Sequence, residues 1–340
     1  MRIAVIGAGL SGLSFAHASR PFADIQLFEK SRGVGGRLAT RRAADHEFDH
    51  GAQFFTCRAK SLESLLKDGD FQSAVSEWQP KLVTLAPDSE TFKRTWFEPH
   101  YVGVPSMTEF PKRLAGELAI SYSTQVQEIS RCGQGWRLKD KSGDELGMFD
   151  WVVSAMPAPQ VGMLFDTKFS EHRSVTEAQL SPCFALMVGL RDRPRLNFEA
   201  AVVRQSPISW LAINNSKPSR SAPSGLVVHS SNAWATAHID EEPTIIEDKL
   251  LDALHELIDP DSLSIQEIHL QRWRYAKVEK AIGKAFLVDE KNRLAAVGDW
   301  CLGNRAEDAF VSGRELAEHL GRTLNTSQGR SCTVKSNLPE

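Results

Sequence analysis

The chain has 340 residues, of which 41% are hydrophobic and 24% charged, which is enough for two domains with substantial cores. A net charge of −3 gives no sign of a nucleic-acid partner or of binding to an anionic membrane surface. The five cysteines are odd in number and lack C-x-x-C spacing, so we expect free thiols of a reducing compartment and neither a zinc site nor a disulfide framework.

The first forty residues read as a strand, a glycine turn and a helix. An apolar run at 3–6 enters the turn, where Gly7 lets the chain reverse, Gly9 lets backbone N–H groups approach a diphosphate and Gly12 lets the helix pack on the strand. A second strand ends in an acid that can accept ribose hydroxyls, about twenty residues later. This context predicts a dinucleotide site, whose expected residues here are Gly7, Ala8, Gly9, Ser11, Gly12, Glu29 and Lys30.

A second glycine cluster, Gly-Val-Gly-Gly-Arg at 33–37, follows the ribose acid. An ordinary nicotinamide-binding half has no use for it. Arg37 can complement a diphosphate with a charge that does not titrate, and the glycines let the backbone run along a cofactor. The alternative is a basic surface loop from 32 to 42.

The stretch 48–58 places a Gly-Ala pair before an amide and two aromatic residues. Gly51 and Ala52 would let the chain pass under a flat ring system, with aromatic walls beside it. A buried strand with Phe54 and Phe55 in the core is the alternative.

The middle of the chain alternates short elements. We predict a helical pattern near 61–66, a hairpin and loop over 88–99, a helix over 108–118, a strand over 120–129, and a strand that ends before Pro157. From about 160 to 270 the pattern predicts an antiparallel sheet covered by a helix over 243–257. Its aromatic pocket candidates are Phe184, Trp210 and Trp234, and for each of them a place in the core is the favoured alternative.

Near the end of the chain, a strand delivers Gly298 and Asp299, and a helix runs on to about residue 320. Asp299 can then accept a hydrogen bond from a bound cofactor, and the positive end of the helix dipole favours added negative charge on it. Residues 323–340 are polar and predict a disordered tail.

Five ordered motifs resemble renalase-type FAD oxidoreductases of the flavin amine oxidase superfamily. They are the glycine turn, Gly-Gly-Arg at 35–37, Gly-Ala-Gln-Phe-Phe-Thr at 51–56, Arg-Trp-Arg-Tyr-Ala at 272–276 and Gly-Asp-Trp-Cys at 298–301. The resemblance implies an α/β fold: an FAD-binding Rossmann-like, para-hydroxybenzoate-hydroxylase-like domain with an inserted antiparallel-sheet substrate domain. The implied FAD domain comprises 1–60, 108–160 and 270–322, and the implied substrate domain 61–107 and 161–269.

The resemblance also implies non-covalent FAD and assigns residues to it. Cofactor contacts beyond the first glycine turn are expected from Arg37, Leu38, Gly51, Ala52, Gln53, Phe54, Val126, Pro157, Gly298, Asp299 and Arg305. Substrate contacts are expected from Phe54, Phe55, Thr56, Cys57, Arg58, Tyr101 and Phe184. The chain departs from the renalase pattern at Phe54, Tyr101, Ser106, Gln271, Asn304 and Asp308.

The implied reaction is oxidation of the 2- and 6-dihydro isomers of NAD(P) to NAD(P)+, with hydride passing to flavin N5 and O2 becoming hydrogen peroxide. The implied partners are a small dinucleotide substrate and O2, in a monomer or small homo-oligomer. The preferred isomer and the choice between NAD and NADP stay open. Alternatives are a flavin amine oxidase or desaturase-like enzyme, and an FAD-binding redox sensor without turnover.

The rest of the sequence shows no pattern typical of metal binding or of nucleophilic catalysis. The histidines lack metal-ligand spacing, and no Ser-His-Asp or Cys-His arrangement is apparent, so neither a metal site nor a catalytic side chain is predicted. The first strand leaves no room for a signal peptide, and no apolar run reaches about eighteen residues. A cytoplasmic, membrane-free protein is the simplest expectation.

Overall fold

A computed structural model describes residues 1–87, 90–221 and 223–331, with side chains up to residue 323. In chain order the strands are β1 (Arg2–Ile6), β2 (Asp24–Phe28), β3 (Thr40–Ala43), β4 (His46–Asp49), β5 (Val75–Glu77), β6 (Leu82–Leu85), β7 (Phe92–Lys93), β8 (Tyr101–Gly103), β9 (Ala119–Ser121), β10 (Val126–Cys132), β11 (Gly135–Asp140), β12 (Glu145–Phe149), β13 (Trp151–Ser154), β14 (Gln179–Leu190), β15 (Ala200–Val203), β16 (Ile208–Ile213), β17 (Gly225–Ser230), β18 (Ile265–Lys280), β19 (Leu287–Asp289) and β20 (Leu294–Ala296).

The α-helices connect and cover these strands. They are α1 (Leu10–Ser19), α2 (Lys60–Leu66), α3 (Gly69–Gln72), α4 (Glu109–Ala115), α5 (Ala158–Phe165), α6 (His172–Glu177), α7 (Asn232–Ala237), α8 (Pro243–His255), α9 (Asp299–Leu302) and α10 (Ala306–Ser331). Within the described ranges, no helix is both long enough and apolar enough to cross a bilayer.

A six-stranded sheet forms the dinucleotide-binding layer, in the order β19–β20–β13–β1–β2–β9. All of its strands run parallel except β19, which is antiparallel to β20. Strand β1 lies at its centre because both of its faces are apolar: Ile3 and Val5 pack into one hydrophobic core, while Ala4 and Ile6 pack into another on the opposite side. The carboxyl end of β1 opens directly onto the glycine turn.

Helix α10 closes this layer by packing on α1. A Cβ on Gly313 would lie 2.1 Å from the carbonyl oxygen of Ser11, so only glycine allows this approach. The Ser14 hydroxyl donates to the Phe310 carbonyl at 2.7 Å and fixes the same contact. The amino terminus of α10 is thereby held beside the amino terminus of α1.

A seven-stranded sheet forms the second layer, in the order β18–β14–β17–β16–β15–β6–β7. Its neighbours are antiparallel except for β15 and β6, which are parallel. Helix α8 covers one face, and Ile246, Leu250 and Leu254 pack there against core residues of β14 such as Leu186. The predicted α/β fold, a Rossmann-like domain with an additional sheet domain, is confirmed.

Several predicted bounds differ from the structure. Helix α4 is shorter than 108–118, and the strand predicted over 120–129 is two strands, β9 and β10, in different sheets. Strand β18 pairs along β14 from Ile265 to Lys280, so 270–280 belongs to the substrate sheet and not only to the FAD domain. Strand β18 can belong to the substrate sheet and also serve the FAD domain, because its residues 271–277 border the large cleft between the two layers.

The predicted disordered tail is corrected in part. Helix α10 continues to Ser331, because the polar composition beyond 322 contains no proline before Pro339 and so does not break the helix. Positions 332–340, the rest of that tail, lie outside the described residues.

Candidate functional site

One large cleft, of about 1940 Å³, lies between the two layers. It is bordered by the glycine turn, the 29–42 segment, residues 50–54, the start of β10, the β18 strand from 271 to 277 and the start of α10. These segments are far apart in sequence and meet because they follow the carboxyl ends of parallel strands or face the second sheet.

One end of the cleft is built to hold a phosphate group. Helix α1 begins at Gly9 without a side-chain cap and without an acidic residue in its first turn, so its positive end faces the cleft uncompensated. A Cβ on Gly9 would meet nothing within 4 Å, whereas one on Gly12 would lie 2.1 Å from the Gly7 carbonyl oxygen. Gly9 thus leaves room for a ligand, while Gly12 allows the helix to approach the strand.

The acid at the end of β2 lies beside this turn. Glu29 is 6% exposed, and its two carboxylate oxygens accept from the backbone N–H groups of Ala8 and Ser31, each at 2.8 Å. A carboxylate has further lone pairs, so this anchored group still has acceptor capacity for ribose hydroxyls.

Arg37 and Asp299 form a two-pronged ion pair across the middle of the cleft. The guanidinium donates to the two carboxylate oxygens at 2.8 and 2.7 Å, and also to the Ala276 carbonyl at 3.0 Å. Burial opposes the charge on Arg37, but the charge and hydrogen bonds of Asp299 outweigh it and raise the pKa of the guanidinium. The pair joins the second glycine cluster to the amino terminus of α9.

The wall of residues 50–54 continues from this pair. Ala52 N–H donates to the Arg37 carbonyl at 2.8 Å, and a Cβ on Gly51 would lie 2.0 Å from that oxygen, so only glycine fits. The His50 ring packs on Trp273 at 5.2 Å, and the Trp273 indole donates to the His50 carbonyl at 3.1 Å. This end of the cleft therefore has a flat aromatic border.

The histidines of this border are neutral near pH 7. Burial lowers the pKa of His50 to about 4, and the nearby Arg41 charge acts in the same direction. Burial likewise lowers the pKa of His229, the next cleft histidine, to about 4. Neither ring supplies an acid at neutral pH.

An aromatic cluster adjoins the wall through Phe54. Its ring lies 4.2 Å from His100, 5.0 Å from Trp96 and 5.9 Å from Trp210. Trp96 stacks on His100 at 3.7 Å. Trp210, predicted from sequence as a pocket residue, borders the cleft, whereas Trp234 stacks on His238 outside it.

The structure gathers most of the predicted cofactor residues in this cleft. Those that border it are Gly7, Gly9, Ser11, Glu29, Lys30, Arg37, Leu38, Gly51, Ala52, Gln53, Phe54, Val126, Pro157, Gly298, Asp299 and Arg305. Ala8 and Gly12 do not border it: Ala8 is buried and donates to Glu29, and Gly12 serves helix packing. Their role is to shape the turn.

Of the predicted substrate residues only Phe54 borders the cleft, and the substrate contacts of the others stay predictions. Phe55 is 3% exposed and packs against Phe110 and Tyr101, because its backbone forms an isolated β-bridge with Tyr101 that holds it in the core. Phe184 is fully buried because successive side chains of β14 face opposite sides of the sheet, and its neighbour Cys183 borders the cleft.

The segment 56–58 is directed away from the cleft. Thr56 Oγ1 and the Arg58 N–H donate to the Glu307 carboxylate at 3.0 and 2.6 Å, and the Arg58 guanidinium pairs with Glu98. Burial opposes ionisation of Glu307, but these hydrogen bonds lower its pKa. Cys57 does not border the cleft either. The segment ties the wall to α10.

Sequence reasoning missed several residues that matter here. Arg41 borders the cleft, and Lys217 and Arg220 lie behind its wall in contact with Asp49. The loop 214–225 looked like simple turn chemistry, and no local pattern showed that its cations fold inward. The cysteines of the described chain, Cys57, Cys132, Cys183 and Cys301, are free, and no group of three or more metal-ligand side chains occurs there.

Comparison with known proteins identifies the family. Residues 5–68 match the NAD(P)-binding Rossmann-like domain, and residues 97–320 match the flavin containing amine oxidoreductases. The chain belongs to this flavin-dependent oxidoreductase family. FAD is therefore its cofactor.

Solved structures share the fold across nearly the whole chain. A protein from Exiguobacterium sp. 255-15, provisionally assigned as a protoporphyrinogen oxidase, has a TM-score of 0.74 at 15% identity, covering 94% of this chain and 98% of that one. Putrescine oxidase bound to putrescine gives 0.71 at 12% identity, covering 95% and 99%. Cyclohexylamine oxidase from Brevibacterium oxydans gives 0.70 at 12% identity, with the same coverage. Identities this low show the fold alone.

The residues of the cleft fit FAD. The uncapped start of α1 suits the diphosphate, Glu29 suits the ribose of the adenosine half, and the wall 50–54 with Trp273 suits a flat ring. The amino terminus of α10 faces the same region through Arg305 and Ala306. The cofactor would thus extend from the glycine turn past the pair of Arg37 and Asp299 toward the aromatic wall.

Proposed function

We propose that this protein is an FAD-dependent oxidase of isomeric dihydronicotinamide dinucleotides, the 2- and 6-dihydro forms of NAD(P). The proposal extends the family assignment with the renalase-like motifs of the sequence and with one structural observation, the charge of the cleft.

The cleft is strongly basic in a chain whose net charge is −3. Ten lysine and arginine residues border it, against the two carboxylates of Glu29 and Asp299. Four of these cations, Lys30, Arg32, Arg41 and Arg272, have no carboxylate partner in the described part of the chain. The FAD diphosphate neutralises only part of this charge, so the remainder favours an anionic substrate such as a dinucleotide.

One of the unpaired cations lies beside the aromatic border, because the charge of Arg41 acts on His50. The Arg272 guanidinium lies instead over the buried Phe184 ring at 5.6 Å and donates to the Glu241 carbonyl. A nicotinamide ring at the border would place its own diphosphate within the influence of Arg41. A cationic amine would meet repulsion from the same side chain.

The reaction needs positioning more than proton transfer. A dihydropyridine becomes aromatic when it loses hydride, so no protein base has to remove a proton. The neutral His50 and His229 rings agree with such a site. The wall 50–54, Trp273 and the cleft cations orient the substrate and exclude water.

The glycine turn, Glu29 and the pair of Arg37 and Asp299 would hold FAD, which would supply a hydride acceptor at N5 and would return two electrons to O2, with two protons taken up to give hydrogen peroxide. The substrate loses one hydride and leaves as NAD(P)+. Arg305 and Ala306 at the start of α10 border the cleft, but the acidic Glu307 and Asp308 in its first turn offset the positive end of this helix dipole.

An amine oxidase is the second candidate, because the cluster of Phe54, Trp96, His100 and Trp210 offers aromatic surface to an alkyl or aryl amine. The unpaired cations of the cleft count against it for charged amines.

Anaerobic stopped-flow absorbance separates the candidates. The yellow protein is mixed with 6-dihydroNAD, 2-dihydroNAD, ordinary NADH and an aryl amine in turn. Rapid bleaching by the isomers, reversed by air with peroxide formed, is the expected result. Bleaching of the flavin by the amine alone would indicate an amine oxidase. No bleaching by any of the four compounds would count against both the dihydronicotinamide oxidase and an oxidase of aryl amines.

A matched pair of variants tests the charge argument. Arg41→Gln removes an unpaired cation and is expected to raise KM for the isomers about tenfold, the range for a charged hydrogen bond. Arg42→Gln is the control, because that guanidinium already pairs with Glu47 at 2.7 Å and contributes less free charge. Equal effects of the two changes would contradict the assigned role of Arg41.

A further inference from the structure

A buried charge cluster, formed by Asp49, Lys217 and Arg220, lies directly behind the cleft wall. The Lys217 and Arg220 side chains reach the same oxygen of Asp49, at 3.2 and 2.7 Å, and all three side chains are at most 1% exposed. One carboxylate therefore serves two cations. No second carboxylate contacts either cation in the described chain, so the cluster carries about one uncompensated positive charge.

The cluster is held rigidly. The other Asp49 oxygen accepts from Thr40 Oγ1 at 2.7 Å and from the Met107 N–H at 3.1 Å. Lys217 Nζ also donates to Asn214 Oδ1 at 3.2 Å. The hydrogen-bonding partners of Asp49 and of the Lys217 ammonium are thus complete within the protein, and neither group borders the cleft itself.

Gln53 connects the cluster to the cleft. Gln53 borders the cleft, and its Oε1 accepts from Lys217 Nζ at 3.2 Å while its Nε2 donates to the Asp49 carbonyl at 2.5 Å. Gln53 belongs to the wall of residues 50–54. This wall is joined to the Arg37 carbonyl through Ala52 and ends at Phe54, beside the aromatic border of the cleft. Because Gln53 contacts both the cluster and the cleft, the electric field of the cluster reaches a ring at this wall through buried protein. The field is therefore weakly screened there.

We propose that the net positive charge of the Asp49–Lys217–Arg220 cluster raises the two-electron reduction potential of bound FAD. Oxidised flavin gains one hydride, and hence one negative charge, from whichever substrate is oxidised, and at neutral pH the cluster itself exchanges no electron or proton in that step. The unpaired positive charge stabilises the reduced form more than the oxidised form. This inference rests on the cofactor and not on the identity of the substrate.

The burial of this charge has a cost for the fold. An uncompensated ion in the interior costs several kcal/mol, and a fully paired or apolar core would avoid that cost. Burial, together with Arg220, lowers the pKa of Lys217 to about 8, although Asp49 acts against this. Lys217 is therefore still protonated at neutral pH.

The test is the reduction potential of the FAD-loaded protein, measured by equilibration with a reference dye. Lys217→Met and Arg220→Met each leave Asp49 with one cation, so the cluster becomes neutral while its carboxylate stays paired. Each is expected to lower the equilibrium constant for reduction at least about tenfold, which is about 30 mV for a two-electron couple. Lys217→Arg keeps the charge and is expected to restore most of the potential.

The control is Lys249→Met, whose ammonium is exposed and pairs with Glu241, and it should leave the potential unchanged. Wild-type potential in Lys217→Met or in Arg220→Met, with FAD content intact, would overturn the proposal. This result does not depend on which substrate bleaches the flavin, so it is separable from failure of the proposed reaction.

If neither variant retains FAD, the pH dependence of the reduction potential of the wild-type protein tests the proposal. The charged and titratable groups that face Lys217 are Asp49, Arg220 and His229, of which His229 is neutral throughout the range used. The slope of potential against pH should steepen above about pH 8, where oxidised enzyme loses the Lys217 proton and reduced enzyme keeps it. A constant slope from pH 7 to 10 would refute the coupling.

Discussion

The pair of Arg37 and Asp299 offers the sharpest test of how the cofactor cleft is held together. The Asp299 side chain is 5% exposed, and both of its oxygens accept from the guanidinium. Arg37→Ala leaves this carboxylate buried without its cation. Breaking a buried pair costs about 3–5 kcal/mol, and since the Arg37 side chain is 33% exposed we expect the lower end, about 3 kcal/mol.

The assay is urea unfolding of the FAD-free protein, followed by tryptophan fluorescence, together with the FAD content of each purified variant. Arg37→Ala should unfold at lower urea and retain less FAD. The double variant Arg37→Ala with Asp299→Asn removes the orphaned charge and should recover on the order of 1–3 kcal/mol of that loss. An unchanged urea midpoint and FAD content in the single variant, or losses that simply add in the double variant, would refute the reasoning.

Three further outcomes are expected. Gly12→Ala should prevent assembly of the holoprotein because its Cβ would overlap the Gly7 carbonyl, whereas Gly9→Ala should fold and lose FAD affinity; equal folding and equal FAD content in the two would contradict this. The KM for 6-dihydroNAD should rise between low and high salt because the basic cleft is screened, while that of a neutral substrate should not, as steady-state kinetics would show. Folding lowers the pKa of Lys217 from its ordinary value to about 8, so the unfolded chain binds more protons than the folded chain above that pH. The stability of the wild-type protein relative to Lys217→Met should therefore rise as pH increases from about 8 to 10.5. A difference in urea midpoints that does not change with pH would count against this pKa shift.

The cofactor half of the site was largely predictable because its requirements are local. Gly7, Gly9 and Gly12 serve one turn between one strand and one helix, and Glu29 follows on the next strand. The structure confirms the strand–turn–helix and the fold class that these residues predicted. The individual cofactor contacts stay predictions, although most of those residues border the cleft.

The substrate half was predicted less well, because a motif does not state which way each side chain faces. Phe54 and Phe55 are adjacent, yet one borders the cleft and the other lies in the core. Phe184 lies in the core of the second sheet, since the alternation of β14 turns Cys183 toward the cleft instead. The orientation of a strand depends on the sheet that it joins, and that partner is distant in sequence.

The amino-acid sequence by itself determined the dinucleotide-binding turn, because that turn follows from residues that act within a few positions of one another. FAD and the α/β architecture were expected from the resemblance of five motifs to a known family. Only the tertiary structure decided the charge of the cleft and the cluster behind its wall. Asp49 and Lys217 are 168 positions apart, and neither residue type signals a partner at that distance. Their contact exists because β4 packs on β17 and directly on the turn at 214–216, and this packing excludes water, so that the charges pair.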